Sequence, residues 1–241
     1  MENSHIENDG FKLATTLFVP KDAKEKNPAI LFIPGWTGQR VRNIQYAESL
    51  VKLGYICFLV DLRGHGESEG DINQVTHEQL FSDVLKAYDH LAKLDGVDPD
   101  NISAIGSSMG GYLVAILASK RKLKNIVLRV PANYPRDTFT KLARLVGSDN
   151  PGVLEWRMEK REPKDTLALE SIHNFDGNIL ILESEFDESV PQPTLHNFRD
   201  AVKDPSKLTY HVLKGAPHSI KEGKFRDMVD HEYTDWFSKL F

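Results

Sequence analysis

Short apolar runs rich in β-branched and aromatic residues alternate along this chain with segments whose apolar residues recur at helical spacing. That alternation restricts the fold more than any other feature, because strands joined through helices pair in parallel and need helices to cover the sheet. Strands are expected at Ala29–Ile33, Tyr55–Val60, Ile102–Ile105, Asn125–Arg129, Asn178–Glu183 and Lys207–Leu213. Helices are expected over Arg42–Leu53, Thr76–Leu94, Met109–Ser119, Pro191–Val202 and Lys221–Leu240, the second placing Leu80, Val84, Leu85, Tyr88 and Leu91 on one face. "NDG" between Ser4–Glu7 and Phe11–Pro20 marks an antiparallel edge hairpin, and "DGVDPDN" reads as a turn-rich stop. The rhythm breaks from Pro131 to about Phe175, where short helical patterns form an insertion. One α/β domain over residues 1–241, with an insertion at 131–175, fits a chain that is 40% hydrophobic and 27% charged.

Charge and cysteine usage remove several function classes. A net charge of −5 leaves no basic excess for neutralising phosphates, so nucleic acid is not an expected partner and small neutral or amphipathic substrates are favoured. The longest apolar runs are strand-sized, far short of the roughly 20 residues that cross a bilayer. "MENSHIENDG" lacks the pattern of a secretory leader, and one cysteine allows no internal disulfide, so a cytoplasmic setting is expected. Cys57 lies in a strand pattern and reads as a buried, inert thiol.

The pattern Gly-x-Ser-x-Gly occurs twice, as "GSSMG" at Gly106–Gly110 and as "GESEG" at Gly66–Gly70. Context separates them. Ser108 follows the strand "ISAI" and starts a helix of small residues, so it occupies a sharp strand-to-helix elbow that needs the small neighbours Gly106, Gly110 and Gly111. The helix N-terminus favours developing negative charge, and the Met109 amide becomes an oxyanion donor. Ser107 reads as structural, and Ser68 as part of a glycine-rich loop.

A serine needs a base, and the base an orienting group. Of nine histidines, His218 in "GAPHS" is best placed, between a strand and the last helix. His65 in "RGHGES" is the rival, with a structural role favoured; His211 reads as strand packing, and His5, His77, His90, His173, His196 and His231 as exposed polar residues. After the strand "NILILE", Asp187 is preferred over Glu183, Glu185 and Glu188 as the third member, at the carboxyl end of a strand where open sheets bind ligands.

With Ser108, Asp187 and His218 in that order, the chain resembles the α/β-hydrolase-fold serine hydrolases, and is similar to small esterases of the cinnamoyl and feruloyl type. The resemblance implies a mostly parallel twisted sheet with helices on both faces. It implies that "LFIPGWTG" supplies the second oxyanion amide, from Trp36, although Pro34 replaces the histidine found before the glycine in many members. It also implies that 131–175 is a cap over the site, with Tyr134, Phe139 and Trp156 as pocket candidates or as packing residues, and with mixed charges that point to no ionic substrate. The function implied is hydrolysis of small to medium acyl or aryl esters through an acyl-enzyme on Ser108, without metal or cofactor. Thioesterase or acyltransferase activity and ligand binding without catalysis are the alternatives. A peptidase of this fold usually carries a large extra domain that 241 residues do not hold. Homo-oligomerisation is left open.

Overall fold

The computed structural model describes residues 1–147, 149–221 and 223–240. Ser148, Glu222 and Phe241, which fall in the expected insertion, terminal helix and domain end, lie outside the described residues. Strands β1 (Glu2–Asn8), β2 (Phe11–Phe18), β3 (Asn27–Ile33), β4 (Ile56–Val60), β5 (Val97–Ser107), β6 (Asn125–Arg129), β7 (Asn178–Phe186) and β8 (Leu208–Pro217) form one sheet in the order β1-β2-β4-β3-β5-β6-β7-β8. The edge hairpin β1–β2 and the β2–β4 pair are antiparallel, and the remaining pairs parallel. Asp9 and Gly10 turn the hairpin with φ of 49° and 80°, left-handed values that suit the twist of the flanking strands.

Helices α1 (Ile44–Lys52) and α7 (Gly223–Ser238) cover one face of the sheet; α2 (His77–Leu91), α3 (Met109–Leu117), α5 (Leu167–His173) and α6 (Gln192–Ala201) cover the other. Side-chain alternation divides the core accordingly. Leu31, Ile126 and Ile181 face α3, while Ile30, Val127 and Leu180 face the α1–α7 layer. In that second layer α1 meets α7 through Gln45 Nε2 to Asp227 Oδ1 at 3.1 Å and Ser49 Oγ to Asp230 Oδ2 at 2.8 Å. Every residue of α3 is buried, which explains its continuous apolar sequence: a helix with no wet face needs no polar stripe. Thr76 and Gln79 cap α2 reciprocally, closing two otherwise open amides.

Three expectations change. The stretch read as a stop opens β5 at Val97, because the Asn27 amide and side chain both donate to Gly96 O at 2.8 Å and fasten it to β3. The insertion is shorter than 131–175: Ala168, Leu169 and Ile172 of α5 are fully buried in the main core beside α3, so this helix is part of the body. What is left contains α4 (Pro151–Met158) and short 3-10 turns, and packs over the same face. His77 is not exposed but 1% accessible, enclosed by the rings of Tyr112 and Tyr134.

Candidate active site

The chain from β5 to α3 turns at Ser108 with φ 54° and ψ −120°, a conformation that an L-residue holds only when its surroundings enforce it. The enforcement is visible atom by atom. The Ser108 amide donates to Arg129 O at 2.9 Å, and the Ser108 carbonyl accepts from Tyr112 and Ala132 at 3.1 and 3.0 Å. A Cβ on Gly106 would stand 2.3 Å from Gly110 O, and one on Gly110 2.3 Å from Ile33 O. The glycines are therefore required by close approach of the elbow to its own helix and to β3.

Ser108 Oγ lies 3.1 Å from His218 Nε2, and His218 Nδ1 lies 2.7 Å from Asp187 Oδ2. Asp187 Oδ1 accepts from the Ser189 and Val190 amides at 2.8 and 2.7 Å, so the carboxylate is fixed by its own loop and its second oxygen is directed at the imidazole. With a carboxylate on Nδ1, that nitrogen carries the proton and leaves Nε2 as acceptor for the serine hydroxyl. The other three carboxylates of this loop go elsewhere: Glu183 to Gln192 and Tyr210, Glu185 to Lys214 and the Gly215 amide, Glu188 to the His218 amide at 3.2 Å.

Met109 opens α3, where an amide has no partner within the helix. Among the described residues the Trp36 amide has no hydrogen-bond partner either, and its loop lies against the elbow, with a Cβ on Gly35 only 3.2 Å from Ser108 Cβ. Both amides are thus available beside the serine. Pro34 is buried at the foot of this loop, which is held from behind by Asp61: its carboxylate accepts from the Arg40 amide and from Arg40 Nη1, both at 2.5 Å, and from the Glu67 amide.

The second Gly-x-Ser-x-Gly serine has a different task. Ser68 Oγ donates to Asp61 O at 2.6 Å and accepts from the Ala14 amide at 2.8 Å, tying the loop after β4 to the hairpin. His65 is buried, hydrogen-bonded to Arg63 O through Nδ1 and edge-on to Trp36, and burial pushes its pKa down. Ser107 accepts from Arg129 Nε at 3.1 Å.

A cavity of about 420 Å³ opens beside Ser108 and His218, between the Trp36 loop, the start of α1 and the start of α7. Of the pocket candidates, none lines it. Tyr134 is buried over His77 and Tyr112, Phe139 packs against Phe81, and Trp156 stacks under Arg161, so each has a packing partner away from this cavity. The cavity is on the α1–α7 side of the serine, whereas the insertion packs on the α3 side.

Sequence reasoning missed Arg129, Arg40 and Asp61. Arg129 donates through Nη1 and Nη2 to His218 O, both at 3.1 Å, and holds the histidine loop against the elbow. A charged residue ending the apolar strand "NIVLR" was the available signal.

This architecture is that of the α/β hydrolases, as its structural neighbours agree. Est1E from Butyrivibrio proteoclasticus, with ferulic acid bound, superposes with a TM-score of 0.77 over 98% of each chain at 21% identity. Mouse alpha/beta hydrolase domain-containing protein 10 does so at 0.70 over 100% of each, at 19% identity. The chain belongs to the prolyl oligopeptidase family, whose model matches residues 39–241. Among curated relatives, an uncharacterized protein of Mycobacterium tuberculosis is 28% identical over 215 residues, 89% of this chain and 70% of that one. The mitochondrial palmitoyl-protein thioesterase ABHD10 of Pongo abelii is 33% identical over 194 residues, 76% of this chain and 60% of that protein.

Proposed function

We propose that the chain is a serine hydrolase that cleaves carboxylic esters of small to medium acyl or aryl groups through an acyl-enzyme on Ser108. The observation that carries this is the continuous contact from Ser108 Oγ through His218 to Asp187, at 3.1 and 2.7 Å, on a strained elbow. Ser108 Oγ attacks the acyl carbon while its proton passes to His218 Nε2; Asp187 stabilises the imidazolium. The Trp36 and Met109 amides bind the oxyanion, each worth about 3 kcal/mol. His218 then returns the proton to the departing alcohol, and water, deprotonated by the same nitrogen, releases the acid. A cytoplasmic setting belongs to the same proposal and is supported by a single, buried cysteine.

The relative named as a palmitoyl-protein thioesterase favours one second reading, a thioester as substrate. The family's name makes a peptide bond a third arm of the test. Ser108→Ala is expected to abolish both 4-nitrophenyl ester turnover and labelling by a fluorophosphonate, with an unchanged circular dichroism spectrum. Labelling that persists in this variant overturns the assignment of the nucleophile. Comparing 4-nitrophenyl esters, acyl-CoA thioesters and peptidyl 4-nitroanilides by kcat/KM decides the bond cleaved. Failure on all three, with tight binding of a small ligand, leaves a non-catalytic receptor.

A further inference from the structure

The cavity beside Ser108 is basic in a protein of net charge −5. Arg42, Arg129, Lys221 and Arg226 line it, and among the described residues no carboxylate does. Their hydrogen bonds go to neutral acceptors: Arg129 to His218 O and Ser107 Oγ, Arg226 to Gln45 Oε1 and Arg42 O. Among the described residues, none of the four forms an ion pair. Asp227 and Asp230 accept hydrogen bonds from Gln45 and Ser49 on α1, Asp187 and Glu188 accept from His218, and none of these four acids lines the cavity. Four cations gathered around one concavity, with no ion pair among the described residues, bias its potential positive, which favours an anion.

The buried end of the cavity carries a second, independent feature. Tyr46 and Tyr233, 7% and 2% exposed, line it with no hydrogen-bond partner for either hydroxyl among the described residues. Their rings meet edge to face at 5.3 Å. Burial raises both phenol pKa values against the opposing pull of Arg129, so both remain protonated donors. The rings are buried while the hydroxyls reach the cavity, so the acceptor each phenol needs is whatever fills it, water or a bound oxygen group.

We propose that this cavity holds an anionic oxygen group, a carboxylate or a phosphate, carried by the substrate beside its scissile bond. Arg129, Tyr46 and Tyr233 meet it at the buried end, and Arg42, Lys221 and Arg226 nearer solvent. The substrate class becomes an acidic ester, not the neutral or amphipathic one that overall charge favours. The inference deepens the esterase reading and rests on it.

Two matched pairs of esters test it: mono-4-nitrophenyl glutarate against 4-nitrophenyl pentanoate, which puts the anion on the acyl side, and 3-carboxy-4-nitrophenyl butyrate against 4-nitrophenyl butyrate, which puts it on the alcohol. At low ionic strength one acidic ester is expected to exceed its neutral partner in kcat/KM by about tenfold or more, chiefly through KM. That ratio is expected to fall towards one in Tyr46→Phe and in Arg42→Gln/Lys221→Gln. Competition by glutarate or by inorganic phosphate identifies which anion the cavity takes. Neutral esters turned over as well as both acidic partners overturn the anion site and leave the esterase standing. Should no ester react, calorimetric titration of the Ser108→Ala protein with glutarate and with phosphate decides separately: salt-sensitive binding weakened by Arg42→Gln supports the site, and no binding of either overturns it.

Discussion

At the scale of single residues, the candidate site depends on groups whose hydrogen bonds leave one task unfilled. Asp187 spends one oxygen on two backbone amides and offers the other to His218. Asp187→Asn keeps the shape but presents an amide where the Nδ1 proton needs an acceptor, so kcat for a 4-nitrophenyl ester is expected to fall about 10⁴-fold with little change in KM. His77 makes a different prediction. Burial, followed by the charge of Arg157, pushes its pKa from 6.5 to about 4, and Nδ1 has no partner among the described residues. Between those values the unfolded chain binds a proton that the folded chain refuses, so acidification favours unfolding. Stability is expected to decline as pH falls from 6.5 towards 4, by up to about 3 kcal/mol from this residue. His77→Phe should flatten the slope of Tm against pH in that window; an unchanged slope refutes the assignment.

At the scale of elements, the elbow and the Trp36 loop have separate supports. Gly110→Ala forces α3 away from β3, because its Cβ would meet Ile33 O at 2.3 Å, and is expected to cost about 1–3 kcal/mol in urea unfolding. Asp61→Ala removes the buried partner of the Arg40 guanidinium, itself 4% exposed, and leaves it only the exposed Glu67 as counter-charge, so it is expected to cost about 3 kcal/mol and to lower kcat by releasing the loop that carries Trp36. Such supports were hidden from sequence because they are long-range. The "DLRGHGESEG" segment advertises a turn, but nothing local reveals that Asp61 reaches Arg40. The Ser108 elbow was legible for the opposite reason: its constraint is local, and small residues at 106, 110 and 111 record it directly. Strand starts at Val97 and ends at Pro217 were not, since they depend on neighbours in the sheet.

At the scale of the whole molecule, the order of strands and helices was legible from periodicity, while the side on which the cavity opens was not. Tyr134, Phe139 and Trp156 sit in a segment that resembles a cap in position, yet the first two pack on the α3 side and Trp156 stacks on Arg161. Trp156→Ala is accordingly expected to lower Tm while leaving KM for small esters within about twofold, a comparison that kinetics and a melting curve make together. The cavity is walled instead by α1 and α7, whose contact between Gln45 and Asp227 spans 182 positions of chain. Such a contact is among the slowest kind to form, because a long loop must close before it is rewarded. Renaturation would then restore helical signal before it restores turnover, and the first measurable product would time the arrival of the last helix.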